Sequence, residues 1–129
     1  MLKKKALLVD DDPDCLELMQ MMLEKLDFEV ISATSQKEGE AFIQSETVQL
    51  AVFDLMMENH DSGFVLCHKF KRKNPHTPVI MVTNVARETG IRFQGFNSGE
   101  NQWVKADAIL EKSIRFDQLK HHIDQLMPG

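Results

Sequence analysis

The sequence predicts an α/β chain built on a doubly wound, five-stranded parallel sheet with helices on both faces. Three observations predict it. Short apolar runs alternate with helical patterns along the chain. Three of the five runs are apolar throughout, as strands covered on both faces tend to be. The runs also end in residues able to do chemistry: Asp10-Asp11-Asp12, Asp54, Thr83 and Lys112. In a parallel sheet those ends share one edge, where open α/β folds place their sites.

Strands are expected at 5–10, 28–33, 49–54, 79–83 and 108–111. Between the first two, Asp12-Pro13 marks a helix start, an N-cap followed by proline at the first helical position. Leu16, Met19, Leu23 and Leu26 then recur at helical spacing. Ser35-Gln36-Lys37-Glu38 has the form of a capping box and opens a second helix. A third runs from about Ser62 to Lys73 and stops before Asn74-Pro75. The last presents Phe116, Leu119, Ile123 and Leu126 on one face. Residues 84–105 break the rhythm: Gly90, Gly95 and Gly99 punctuate them, and they are expected to form an irregular extended segment in place of much of a fourth helix. Such a segment is either a lid packed by Phe93, Phe96 and Trp103 or a surface for a partner.

With 129 residues the chain is expected to form one domain spanning 1–129. Hydrophobic residues make up 43%, enough for a core. The net charge of −5 disfavours nucleic acid as a partner, since phosphates call for basic patches. Cys15 and Cys67 match no metal-ligand spacing and are expected as buried free thiols in a reducing compartment. No apolar run approaches the ~18 residues of a membrane span, so a cytoplasmic protein without membrane contact is expected. The five histidines include no pair with a compelling metal geometry.

The strand ends carry the chemistry. Mg²⁺ takes oxygen ligands and is often held by one or two carboxylates plus phosphate oxygens. Asp10, Asp11 and Asp54 can supply them; without a cation, carboxylates packed together raise one another's pKa. A carboxylate can itself accept a phosphoryl group, and such transfer is mostly positioning and charge neutralisation. Thr83 can hydrogen-bond a phosphoryl oxygen, and Lys112 can pair with another. Asp12 is explained by helix capping alone, and Asp61 by the turn before the third helix.

Taken in this order, the residues resemble the receiver domain of two-component response regulators over essentially the whole chain. Leu7-Leu8-Val9-Asp10-Asp11-Asp12 is similar to the family's first strand and acidic pair, and Val52-Phe53-Asp54-Leu55-Met56-Met57 to its phosphoacceptor strand. Pro78-Val79-Ile80-Met81-Val82-Thr83 resembles the strand carrying the switch hydroxyl, and Ala106-Asp107-Ala108-Ile109-Leu110-Glu111-Lys112 the strand before the lysine. The resemblance implies a flavodoxin-like sheet of strand order 2-1-3-4-5. It implies that Asp54 receives a phosphoryl group from a phosphohistidine on a sensor histidine kinase or a histidine phosphotransfer protein. It implies Mg²⁺ held by Asp11, Asp54 and the backbone carbonyl of Met56, with Asp10 acting directly or through water, while Thr83 and Lys112 engage the phosphoryl group. The chain is then no enzyme beyond its own aspartyl phosphorylation and dephosphorylation. It is expected to act as a stand-alone receiver that signals to a downstream protein, unidentified by the sequence, through protein contact or phosphorelay. Lys105, after Trp103-Val104, is a rival for the lysine role; Lys112 fits its flanking sequence better. The first helix, which the resemblance implies docks the kinase, carries extra apolar residues Leu18, Met21 and Met22; a broadly buried, methionine-rich helix accounts for them equally.

There are departures. Ser113 follows Lys112 where the family usually has proline on a cis bond, so a trans bond is expected to be possible. Asn84 replaces the usual small residue after the switch threonine, and Ile109 the usual aromatic. The loop Glu58-Asn59-His60-Asp61 lacks its proline and is a residue longer. Met56 and Val85 stand where polar side chains can orient an attacking water, so slow loss of the phosphoryl group is expected. Two other readings are open: a phosphorylation-independent pseudo-receiver that only binds partners, and an aspartate phosphohydrolase of the haloacid dehalogenase type using Asp10 and Asp12.

Overall fold

The computed structural model describes residues 4–55, 57, 62–83 and 106–127. In chain order they form β1 (Lys4–Val9), α1 (Pro13–Lys25), β2 (Phe28–Ala33), α2 (Gln36–Ser45), β3 (Leu50–Asp54), α3 (Ser62–Lys73), β4 (Val79–Thr83), β5 (Ala108–Glu111) and α4 (Phe116–Leu126). The strands pair in parallel in the order β2-β1-β3-β4-β5. The expected strand bounds hold to within a residue, and the order implied by the resemblance is the one observed.

The two-residue period of a strand divides each run between two cores. Ala6 and Leu8, Leu50 and Val52, and Ile80 and Val82 face one cluster, closed by Met19, Met22 and Leu23 of α1 and Leu119 and Ile123 of α4. Leu7 and Val9, Ala51 and Phe53, and Val79 and Met81 face the other, closed by Ile43 of α2 and Leu66, Cys67 and Phe70 of α3. All five residues of β3 and of β4 are buried. That is why these strands read as continuous apolar runs, and why the polar residues at their ends stand out.

Helix ends follow local chemistry. The Asp12 carboxylate caps α1, accepting from Asp14 N at 3.0 Å and Cys15 N at 3.5 Å. Asp27, just past α1, takes a left-handed conformation with φ 69°. Ser35 caps α2 by accepting from Glu38 N at 3.1 Å. The reciprocal half of the expected capping box differs: Glu38 reaches one residue further back, to Thr34 N at 2.9 Å and Thr34 Oγ1 at 2.7 Å. Threonine offers two donors to one carboxylate oxygen, which outcompetes a single N–H. Cys67 is buried as expected, but Cys15 is only half-buried, because its turn of α1 lies at the sheet edge where its thiol donates to Asp12 Oδ2 at 3.4 Å. Residues 84–105, for which an irregular segment is expected, lie outside the described residues. Among the described residues no helix is long and apolar enough to cross a membrane.

Candidate phosphoacceptor and metal site

Hydrogen bonds that extend the sheet ladders fix the site residues. Asp10 N donates to Ala33 O at 3.1 Å, continuing the β1–β2 ladder by one residue. Asp54 ends β3, and the next amide, Leu55 N, donates to Val82 O at 2.8 Å. Lys112 N donates to Thr83 O at 2.9 Å, continuing β5 along β4. Four residues from four strands therefore reach one edge on rigid backbone. Asp10, Asp54 and Thr83 are all buried, and Asp11 is exposed.

The side chains converge. The carboxylates of Asp10, Asp11 and Asp54 each offer an oxygen, all within 4.8 Å of one another. Lys112 Nζ lies 3.1 Å from Asp54 Oδ2 and 3.2 Å from Asp10 Oδ1. Asp10 Oδ1 also accepts from Asp12 N at 2.9 Å, which orients that carboxylate. Burial, and next the charge of Asp10, push the Asp54 carboxyl up to about 7, against the pull of Lys112. Burial alone would lower the Lys112 ammonium, but Asp54 and Asp10 outweigh it and hold the proton more tightly than usual.

Among the described residues three carboxylates face one ammonium, so this part of the edge is short of positive charge. A donor set made only of carboxylate oxygens suits a hard divalent cation such as Mg²⁺, and a cation there would relieve the crowding that lifts Asp54. The Met56 carbonyl, expected as a further ligand, lies outside the described residues, as do Lys105, Asn84, Val85, His60 and Asp61. The Lys112–Ser113 bond is trans, with no cis peptide among the described residues.

One further residue was not singled out in the sequence. Gly63, in the first turn of α3, donates its N–H to Leu55 O at 2.9 Å. A Cβ there would sit 2.5 Å from Asp54 O and 2.6 Å from Leu55 Cα. Glycine therefore lets α3 close directly onto the backbone that carries Asp54. The signal was available: glycine in a helix costs about 1 kcal/mol relative to alanine and asks for a packing reason.

The sequence profile of the response regulator receiver domain matches residues 6–124. The chain belongs to this family. Among solved structures, a CheY-like receiver domain protein from Methanospirillum hungatei JF-1 is 30% identical, with a TM-score of 0.76 over 96% of this chain and 93% of its own. The response regulator TrrA from Thermotoga maritima, solved in complex with Mg²⁺ and BeF, is 26% identical, with a TM-score of 0.76 over 96% of this chain and 99% of its own. Among curated relatives, the heme response regulator HssR of Staphylococcus saprophyticus is 38% identical over 77% of this chain and 43% of its own length. The dual master transcriptional regulator RpaA of Synechocystis is 27% identical over 97% of this chain and 56% of its own length. The chain thus spans about half the length of these curated relatives.

A receiver domain is a signalling module and not an enzyme with an external substrate, which removes the phosphohydrolase reading. Geometry agrees. That reading needs Asp12 as an acid, but its carboxylate is taken up in capping α1, accepting from the Cys15 thiol and the Asp14 and Cys15 amides, and these hydrogen bonds hold its carboxyl below the usual range.

Proposed function

We propose that this receiver accepts a phosphoryl group on Asp54 from a phosphohistidine, on a sensor histidine kinase or a histidine phosphotransfer protein, with Mg²⁺ held at Asp10, Asp11 and Asp54. The observation that carries the reading is the Lys112 ammonium lying between the carboxylates of Asp54 and Asp10 on a buried edge. In the transfer an Asp54 carboxylate oxygen attacks phosphorus. The new O–P bond forms as the bond from phosphorus to the donor imidazole nitrogen breaks, and the electron pair leaves on that nitrogen. Lys112 pairs with an oxygen of the arriving group, and the Thr83 hydroxyl donates to another. Bound Mg²⁺ supplies charge neutralisation for carboxylates and phosphoryl oxygens together. Asp54 must be ionised to attack, and both Lys112 and a cation favour that form.

The donor's docking surface is the outer face of α1. Leu18 and Met21 are 53% and 55% exposed, large apolar side chains standing in water. Beside them runs a groove completed by Met22, Ile114 and Phe116 and rimmed by Lys25 and Arg115. Lys25 Nζ stacks 5.2 Å over the Phe116 ring, which ties α1 to α4 and stiffens the groove. Whether the phosphorylated protein acts by contact or passes its group onward depends on its downstream partner.

Beryllium fluoride, a phosphoryl mimic, tests the site. With Mg²⁺ it is expected to shift the amide resonances of Thr83 and Lys112 in the wild type and leave Asp54→Asn unchanged. Mg²⁺ binding without any response to the mimic would favour the pseudo-receiver that only binds partners.

A further inference from the structure

Lys112 can serve Asp54 only while β5 holds its register, and little in β5 itself specifies that register. The strand has four residues, AILE, and among the described residues it lies at the sheet edge and pairs with β4 alone. Register is well specified where one face is apolar and the other polar, because a one-residue slip then exposes the apolar set. β5 is apolar on both faces: Ala108 and Leu110 pack toward one cluster, Ile109 toward the other. Although a slip one way would bury Glu111 in the place of Leu110, a slip the other way puts Ile109 there, keeps that place apolar and costs little. It would also move Lys112 by about 3.3 Å along the sheet and turn it to the opposite face.

The register is held instead by a polar bracket at the start of the strand. Asp107 N donates to Val79 O at 2.8 Å, and Asp107 Oδ2 accepts from Val79 N at 2.8 Å. One residue thus satisfies both backbone groups of the first residue of β4. Lys71 of α3 locks the carboxylate, with Nζ 2.9 Å from the same Oδ2. Lys71 is itself anchored, donating to Thr77 O at 2.7 Å. Only one register lets this bracket close. At the other end of β5, the closed bracket leaves Glu111 opposite Thr83 and Lys112 on Asp54.

We infer that Asp107, supported by Lys71, is a positioning residue for phosphoryl transfer: it pins β5 against β4 and thereby sets the Lys112 ammonium on Asp54. The inference rests on the proposed phosphoacceptor role of Asp54. Asp107 touches neither the phosphoryl group nor the metal ligands, which come from β1 and β3. The pin therefore governs the rate of transfer and leaves metal affinity alone.

The test compares Asp107→Ala, Asp107→Asn and Lys71→Met with the wild type in three measurements: rate of phosphorylation by acetyl phosphate at saturating Mg²⁺, Mg²⁺ affinity, and amide hydrogen exchange of Leu110 and Lys112. Asp107→Ala is expected to slow phosphorylation by at least about tenfold, since misplacement by an ångström is enough for losses of that size. Its Mg²⁺ affinity stays within about twofold of wild type, and its β5 amides exchange faster. Asp107→Asn keeps the acceptor for Val79 N and restores most of the rate; Lys71→Met gives a smaller loss of the same kind and serves if Asp107→Ala does not fold. A wild-type rate in both Asp107→Ala and Lys71→Met, a parallel fall in Mg²⁺ affinity, or no rescue by asparagine overturns the inference. If the wild type takes no phosphoryl group, the reading of Asp54 fails. The pin is then judged by exchange alone, and unchanged exchange at Lys112 in Asp107→Ala overturns it.

Discussion

Asp54 pays for its position in proton affinity, and the sign of that effect is measurable. An unfolded aspartate titrates near 3.9; in the folded protein, burial and the charge of Asp10 lift Asp54 to about 7. A carboxyl whose folded pKa is raised stabilises the fold fully below the unfolded value, and that contribution is lost as pH rises through the folded one. Without metal, stability is therefore expected to fall between about pH 4 and pH 8. Lys112 is shifted upward, so its contribution is constant across that window and is lost only at higher pH. Urea unfolding in EDTA at several pH values, wild type against Asp54→Asn, reads the slope directly. Asp54→Asn should abolish most of it and exceed the wild type at pH 8 by on the order of 1–2 kcal/mol, the full conversion being reduced by solvent screening and by the partner that Lys112 loses. Added Mg²⁺ should reverse the ranking. A wild-type slope that rises from pH 5 to 8 in EDTA contradicts this account of the site.

At the scale of single elements, short-range chemistry was the most legible part of the sequence. Asp12-Pro13 opens α1 as read, and Ser62 and Lys73 bound α3 as read. These features depend on neighbours a few residues apart. Gly63 and the turn of Glu38 toward Thr34 depend on which groups the folded backbone brings close, so spacing alone could not reveal them. Both kinds of feature predict stability changes in urea melts. Asp12→Ala should cost about 1 kcal/mol, the usual value of an N-cap. Asp27→Gly should gain about 0.5–1 kcal/mol, because glycine adopts φ 69° without the clash of a Cβ. Gly63→Ala should lose about 1–3 kcal/mol, since backbone atoms of Asp54 and Leu55 cannot yield as a flexible side chain would. A stable Gly63→Ala protein would mean that α3 does not need to close on Asp54.

At the scale of the molecule, the doubly wound arrangement follows from strands that feed two cores, and it gathers Asp10, Asp54, Thr83 and Lys112 although they lie far apart in sequence. Their convergence on one edge was legible because polar residues end otherwise apolar runs. The bracket on β5 was not, because Asp107 and Lys71 lie far apart in sequence and only the folded sheet brings them together. Two outcomes belong to the whole protein. Leu18→Glu with Met21→Glu should leave stability within about 0.5 kcal/mol, as exposed substitutions usually do, while phosphotransfer from a kinase or phosphotransfer protein falls and phosphorylation by acetyl phosphate does not. Loss of both routes together would argue against α1 as the docking face. Once formed, the aspartyl phosphate should persist, because by the family resemblance Met56 and Val85 take the positions from which polar side chains orient water, and neither does that well; a half-life of seconds in purified protein would contradict that.

The phosphoacceptor role of Asp54 is tested most directly by the intact mass of the protein after incubation with acetyl phosphate and Mg²⁺. A single phosphoryl adduct is expected, missing without the metal and missing in Asp54→Asn. An adduct that survives in Asp54→Asn, or none in the wild type while Mg²⁺ still binds, would contradict it.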